Sequence, residues 1–300
     1  MTLNPDLAAR WWSVEQGDPA QGGDQALCGL CHHACRIPAG KSGYCGARLF
    51  DGQRLLSPWL GHFSSIAVDP IEKKPLYHWR PGSMILSLGS LGCTMRCPFC
   101  QNHSIAHPTS IPPRLSSVPA QLLRDKCLEL RLDSVAYTYN EPALQAEYII
   151  QAAPFLREAG IATVLVSNGM YSPALLEELA GVTDAANIDL KCFSAKSYAR
   201  LGGALERVQA TICGLLEAGC HVECTTLVVP GVSDNEEEFV AGLVWLASLS
   251  PDIALHISRY RPAWKFTAPP TDLELLKKFA ALARQRLRRV HIGNVPGLLT

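Results

Sequence analysis

The chain reads as an α/β protein: a parallel (β/α)6-type partial TIM barrel with a small N-terminal Cys-rich metal-binding element. Three observations predict it. From about residue 84, short apolar runs rich in Val and Ile alternate with amphipathic stretches of helical length, the pattern of βαβ units and a parallel sheet. Polar residues collect just after most of the runs, as they do where chemistry sits at the C-terminal ends of barrel strands. Cys28, Cys31, Cys35 and Cys45 are grouped ahead of all this. The two parts are taken as residues 1–68 and 69–300.

In order along the chain, residues 1–27 have no clear period and read as an irregular lead-in. Residues 28–48 form a Cys-rich knot punctuated by Gly40, Gly43 and Gly46. The apolar runs are 84–88, 134–138, 162–167, 186–190, 221–229, 253–258 and 289–293. Helix-like segments fall at about 119–131, 143–159, 173–180, 204–218, 234–248 and 271–286. Ser172-Pro173 and Ser233-Asp234 are cap candidates, because a side-chain oxygen there can take an orphan amide and Pro suits a first turn. Six or seven such units favour a barrel or partial barrel over a short open sheet. Cys93–Cys100 follows the first run, Tyr139-Asn140-Glu141 the second and Ser167-Asn168-Gly169 the third. Asp189 and Lys191 follow the fourth, and Arg259 and Arg261 the sixth. The segment 69–83, with Glu72, Lys73, Lys74, Tyr77 and His78, reads either as lining for a substrate entrance or as a connector whose Leu76 and Trp79 cap the barrel.

A hydrophobic content of 48% over 300 residues supports a substantial core. The 27 basic and 27 acidic residues balance without a basic run, so charge gives no case for nucleic acid or an anionic membrane as partner. Neither a signal peptide nor an apolar stretch of about 18 residues is present, and a cytoplasmic protein is expected. Twelve cysteines in a reducing compartment point to metal ligation rather than disulfides. Cys127, Cys192, Cys213, Cys220 and Cys224 are dispersed and read as small buried hydrophobes.

The segment GSLGCTMRCPFCQN (89–102) sets Cys93, Cys97 and Cys100 at C-x3-C-x2-C spacing. Three thiolates on one tight loop can ligate three irons of a [4Fe–4S] cubane and leave the fourth open. The competing reading is zinc, with His103 completing a Cys3His tetrahedron. The position immediately after the first barrel strand, with Phe99 before the last cysteine, favours the cluster. Cys28, Cys31, Cys35 and Cys45 supply four thiolates, enough to close the coordination of a structural Zn²⁺ or of an auxiliary iron–sulfur cluster. His32 and His33 are alternative ligands there.

These motifs resemble the radical S-adenosylmethionine (SAM) superfamily, especially its pyruvate formate-lyase-activating-enzyme branch, over most of residues 84–290. The resemblance includes CPFCQN, NEPALQAEY (140–148), SNG (167–169), IDLK (188–191), VVPGVSD (228–234) and PPT (269–271). Closer still are the AmmeMemoRadiSam-system radical SAM enzymes, which the blocks at 28–48, 69–83, 138–142 and 291–297 resemble. The resemblance implies that Asn140 and Glu141 receive the methionine amino group and that Ser167 and Asn168 approach the ribose or methionine end. It also implies that Asp189 and Lys191 hold the carboxylate or ribose region and that backbone beside Phe99 meets adenine. On residue type alone, Asp189–Lys191 also reads as a strand-end ion pair and Glu141 as an acid favoured at a helix start. Tyr139-Asn140 replaces the family's double glycine, Val166 stands where activases often carry Asp, and Arg261 stands where they present His. Many AmmeMemoRadiSam-type chains continue into a further Cys pair after GNVPG. This sequence ends at Thr300 without it, so the four N-terminal cysteines are expected to close their site unaided.

The implied activity is reductive cleavage of SAM to methionine and a 5′-deoxyadenosyl radical, which abstracts hydrogen from a substrate. Its implied partners are a reductase such as flavodoxin or ferredoxin, and a protein substrate or Memo-type protein. An activase that installs a glycyl radical on a partner enzyme is the second reading. A structural zinc-binding scaffold protein is the alternative from another class, and iron and sulfide content separates it from the first two.

Overall fold

All seven apolar runs become strands of one sheet. The structure, a computed structural model, describes residues 8–17, 23–108 and 115–295. The N-terminal part builds β1 (Trp12–Glu15), β2 (Gln25–Cys28) and β3 (Arg36–Pro38) into one antiparallel sheet. A second holds β4 (Lys41–Ser42), β5 (Leu49–Phe50) and β6 (Leu55–Leu56). Within the expected irregular lead-in, Trp12–Glu15 and the start of β2 are therefore strand. Strands this short carry too few residues to display a period.

Next come β7 (His62–Phe63), β8 (Ser65–Pro70), β9 (Met84–Gly89), α1 (His103–Ala106), β10 (Ser116–Ser117) and α2 (Ala120–Glu129). The barrel continues with β11 (Ser134–Tyr137), α3 (Ala146–Glu158), β12 (Ala162–Ser167), α4 (Pro173–Ala180) and β13 (Ala185–Asp189). It ends with α5 (Ala195–Arg200), α6 (Leu205–Glu217), β14 (His221–Val228), α7 (Glu236–Leu249), β15 (Ala254–Arg259), α8 (Leu273–Arg284) and β16 (Val290–Gly293). The sheet order is β8-β9-β11-β12-β13-β14-β15-β16. Every pair from β9 to β16 is parallel, and β8 joins the β9 edge antiparallel. Consecutive parallel strands stay adjacent, so their C-terminal ends gather at one mouth.

Ser172 caps α4 as expected, accepting from Leu175 N at 3.2 Å. The α7 cap is instead Asn235, which accepts from Glu238 N at 2.9 Å. Ser233 and Asp234 close the preceding turn: Ser233 Oγ accepts from Val229 N at 2.8 Å, and Asp234 Oδ1 accepts from Gly231 N at 2.9 Å.

The segment 69–83 caps the end of the barrel away from the mouth. Buried Leu76 packs with Ile71, Ile85, Ala136, Val164 and Ala185, with Trp79 against them. Fully buried Glu223 pins the segment by accepting from the backbone of Tyr77 at 3.1 Å and of His78 at 2.8 Å. The same carboxylate meets His221 Nε2 at 2.9 Å and His256 Nε2 at 2.7 Å, so its buried charge is met on every side.

The N-terminal part is fastened to the barrel by charge. Arg48, 1% exposed, forks onto Glu147 of α3 at 2.7 and 2.8 Å, and the Arg10 amide donates to the same carboxylate at 2.9 Å. Nearer the surface, Arg10 Nη2 reaches Glu178 of α4 at 2.7 Å.

Candidate active site

The sequence-predicted residues converge at the mouth. A cavity of about 300 Å³ is lined by Cys93, Cys97, Phe99 and Cys100 from the β9–α1 loop. Asn140 and Glu141 after β11, Asn168 after β12, and Asp189 and Lys191 at the end of β13 complete that wall. Thus the ends of four neighbouring strands supply every residue expected to hold the cluster or SAM except Ser167. Ser167 sits behind the wall, fully buried, and donates its hydroxyl to Glu141 Oε1 at 2.8 Å.

Glu141 is an N-cap and a buried acid at once. It opens the 3₁₀ turn Pro142–Gln145, accepting from Ala143 N at 3.0 Å, and its other oxygen accepts from Asn168 N at 3.0 Å. Burial pushes its pKa up to about 7, against the pull of those amides and of Ser167, and the Asp189 charge adds to the rise. Lys191 Nζ pairs with Asp189 Oδ2 at 2.7 Å, so the strand-end ion pair is real and also faces the cavity. Burial opposes the Lys191 ammonium, but Asp189 and the thiols of Cys97 and Cys100 outweigh it and hold its pKa above the ordinary lysine value.

Asn140 braces the loop rather than standing free. Its Oδ1 accepts from Ser90 N at 2.8 Å and its Nδ2 donates to Gly92 O at 2.9 Å. Tyr139 has φ of 70°, so it keeps the left-handed backbone that a glycine would favour. Its hydroxyl donates to Asp69 Oδ2 at 2.5 Å, Lys74 Nζ reaches the same oxygen at 2.8 Å, and Lys74 lies over the ring at 4.5 Å. The segment 69–83 thus also steadies the mouth from below, and its Pro75 lines the cavity.

The donor set fits an iron–sulfur cluster. Burial drives the Cys97 thiol up to about 11 and raises Cys93 and Cys100 as well, while the Lys191 charge draws Cys97 and Cys100 back down. Buried thiolates need compensating positive charge, which a cubane supplies. Among the described residues no three His, Cys, Asp or Glu side chains gather tightly enough for one ion. A cubane sets each of its three thiolates on a different iron. His103, the expected fourth zinc ligand, has Nδ1 at 3.3 Å from Cys100 O and its ring stacked on Trp264 at 5.4 Å.

The sequence profile of the radical SAM superfamily matches residues 88–243. The chain belongs to the radical SAM superfamily. An uncharacterized protein of Methanocaldococcus jannaschii is 35% identical over 280 residues, covering 91% of this chain and 83% of that one. A second protein of that archaeon, provisionally named a glycyl-radical enzyme activating enzyme, is 27% identical over 49% of this chain and 62% of its own. In fold, the radical SAM barrel is like Streptococcus suis SuiB bound to S-adenosylmethionine, with a TM-score of 0.53 and 15% identity over 68% of this chain and 48% of that one. A radical SAM chain is an enzyme that uses SAM and a [4Fe–4S] cluster, so the zinc-scaffold alternative is set aside. Among the described residues no helix is long and apolar enough to cross a membrane.

Sequence reasoning missed some of the radical SAM cavity. Thr225, Ser258 and Asn294 also line it. Asn294 directly follows the seventh apolar run, so the rule applied to the other runs would have found it. Arg259 and Arg261, expected at the mouth, are not among its lining: Arg259 Nε donates to Thr271 O at 2.9 Å, and Arg261 is exposed. Residues 296 and 297 of the HIGNVPG block lie outside the described residues.

Proposed function

We propose that this chain cleaves SAM reductively and that the resulting radical abstracts hydrogen from a substrate. One observation carries the reading: three thiols, a buried carboxylate and an Asp–Lys pair share one cavity of about 300 Å³ at the ends of adjacent strands. Cys93, Cys97 and Cys100 hold the cluster, which together with bound SAM supplies one-electron cleavage of the sulfonium C–S bond. Glu141 takes the methionine ammonium, Ser167 and the Asn168 amide hold that carboxylate in place, and Asn140 keeps the loop beside it. Asp189–Lys191 meets the carboxylate or ribose, and backbone beside Phe99 meets the adenine. The deciding experiment follows 5′-deoxyadenosine when anaerobically reconstituted protein is given dithionite and SAM. Product that depends on all three cysteines is the expected result. Its absence despite four irons per chain, with every candidate substrate supplied, would sink the reading.

Glu141 adds a pH signature. With a pKa of about 7, it is neutral below that pH and ionised above it, and only the ionised form attracts an ammonium. SAM affinity is therefore expected to rise about tenfold per pH unit up to neutrality, before the ligand's own α-ammonium is lost near pH 8. Glu141→Gln should bind weakly with a flat profile over the same range. Equilibrium binding between pH 5 and 7 reads both, and a sloped profile there in the variant would remove Glu141 from the ammonium site.

Cys28, Cys31, Cys35 and Cys45 hold a second metal centre in this reading, an iron–sulfur cluster rather than Zn²⁺, since among the described residues no three such side chains gather tightly enough for one ion. Their thiols are close enough to raise one another's pKa, and burial, the larger cause, pushes Cys28 up to about 11 and Cys31 to about 12. The motif blocks at 28–48 and 69–83 support kinship with the AmmeMemoRadiSam group. A reductase of the flavodoxin or ferredoxin class supplies the electron. Activation of a glycyl-radical enzyme is the second reading, favoured by the provisionally named archaeal relative. An organic radical appearing on a partner enzyme by EPR would select it.

A further inference from the structure

The N-terminal cysteine group and the cluster loop grip each other through contacts that neither motif requires by itself. His33, between Cys31 and Cys35, donates from Nε2 to Thr94 O at 2.8 Å, next to Cys93; a carbonyl only accepts, so that nitrogen carries the proton. The ring of His33 stacks on Tyr44 at 3.9 Å. Tyr44 in turn points its amide at Cys35 Sγ, 3.5 Å away, and its carbonyl accepts from Arg96 Nη2 at 2.5 Å. The Cys45 carbonyl lies so close to Gly92 that a Cβ there would stand 2.6 Å from it. Gly92, Thr94 and Arg96 are the residues that flank Cys93 and Cys97.

The contact continues into the SAM cavity. Asn168 Nδ2 donates to Thr94 Oγ1 at 3.0 Å, and the Asn168 amide is the one that holds Glu141. On the other side, the backbone of Cys31 pairs with that of Tyr171 in an isolated antiparallel bridge, and Ser172 N donates to Leu30 O at 3.2 Å. The knot therefore props two of the loops that carry cavity residues, those after β9 and β12. Its own turn is constrained as well, since Ala34 has φ of 42°, a backbone state that a non-glycine residue holds only when its surroundings impose it.

We propose that metal at Cys28, Cys31, Cys35 and Cys45 is an effector of SAM binding, transmitted by His33 to Thr94 and from there to Asn168 and Glu141. Metal pins both ends of the turn between Cys31 and Cys35, which aims His33; His33 and Tyr44 are positioning residues that touch neither SAM nor the irons. Coupling of this kind is reciprocal: the factor by which the metal tightens SAM is the factor by which SAM tightens the metal. The proposal rests on the reading that these four cysteines hold a metal.

The test uses full-length protein reconstituted anaerobically. His33→Ala is expected to keep its iron at the catalytic cluster and its second metal, yet to lose about tenfold in SAM affinity, the scale of one hydrogen bond removed. The change that SAM causes in the EPR spectrum of the reduced cluster should fade in parallel. His33→Gln, which retains an N–H donor, should recover part of both. Unchanged SAM affinity and spectrum in His33→Ala would overturn the proposal while leaving the metal reading intact. The metal reading is checked separately, by metal content in a chain with Cys93, Cys97 and Cys100 all replaced by Ala. Metal retained there supports it; a folded, metal-free chain overturns both.

Discussion

Cys97→Ala is expected to abolish formation of 5′-deoxyadenosine while leaving the barrel folded. One thiolate of three is lost, and two cannot hold a site-differentiated cubane. Cys97 is buried, and Cys93 and Cys100 are half-buried, so the substitution leaves a small void and costs about 1 kcal/mol, typical of a modest core truncation. A melt recorded beside the iron and sulfide assay separates the two effects. Native-like melting with iron content collapsed is the expected pair of results. Full cleavage activity in the variant would remove Cys97 from the cluster.

Arg48→Ala is expected to destabilise the protein by about 3–5 kcal/mol, because it strands the Glu147 carboxylate in the interior. Glu147 would retain only the Arg10 amide of the donors described, and both side chains of the pair are almost wholly buried. Among the described residues Arg48 Nε has no hydrogen-bond partner, so the arginine is held by its fork onto Glu147. Replacing both residues together, as Arg48→Met with Glu147→Leu, should restore most of the loss, since well-packed apolar residues commonly match a buried ion pair. Urea denaturation of the two variants gives the comparison. A double variant as unstable as Arg48→Ala would show that the arginine acts by packing rather than charge.

The parallel strands were legible because Val- and Ile-rich runs such as 162–167 are buried on both faces and stand out without any partner. The cysteine loop and the wall residues Glu141, Asn168, Asp189 and Lys191 followed from one rule, that chemistry lies just past strand ends. What escaped depended on partners far away in sequence. β8 leaves Ile66 and Val68 exposed at 46% and 42%, so its pattern does not declare an inward face. The Tyr139 bond to Asp69 spans 70 residues. Glu223 gathers groups from positions 77, 78, 221 and 256, and no local pattern marks a carboxylate as the centre of such a cluster. The α7 cap was misplaced by one residue past Asp234, because Ser233, Asp234 and Asn235 are all competent caps and only the turn geometry chooses among them.

The Arg48–Glu147 fork bridges 99 residues and the Arg10–Glu178 bridge 168, which bears on how the protein is made. The cysteine knot leaves the ribosome long before α3 and α4 exist for it to dock on. Contacts of such long range form late, after the local strand–helix units that cost less loop entropy. The four thiols of the knot are consequently open to solvent during synthesis, and docking on the barrel helices covers them only in part, since Cys28 alone of the four is buried. The metal proposed for the knot would therefore load early, before docking.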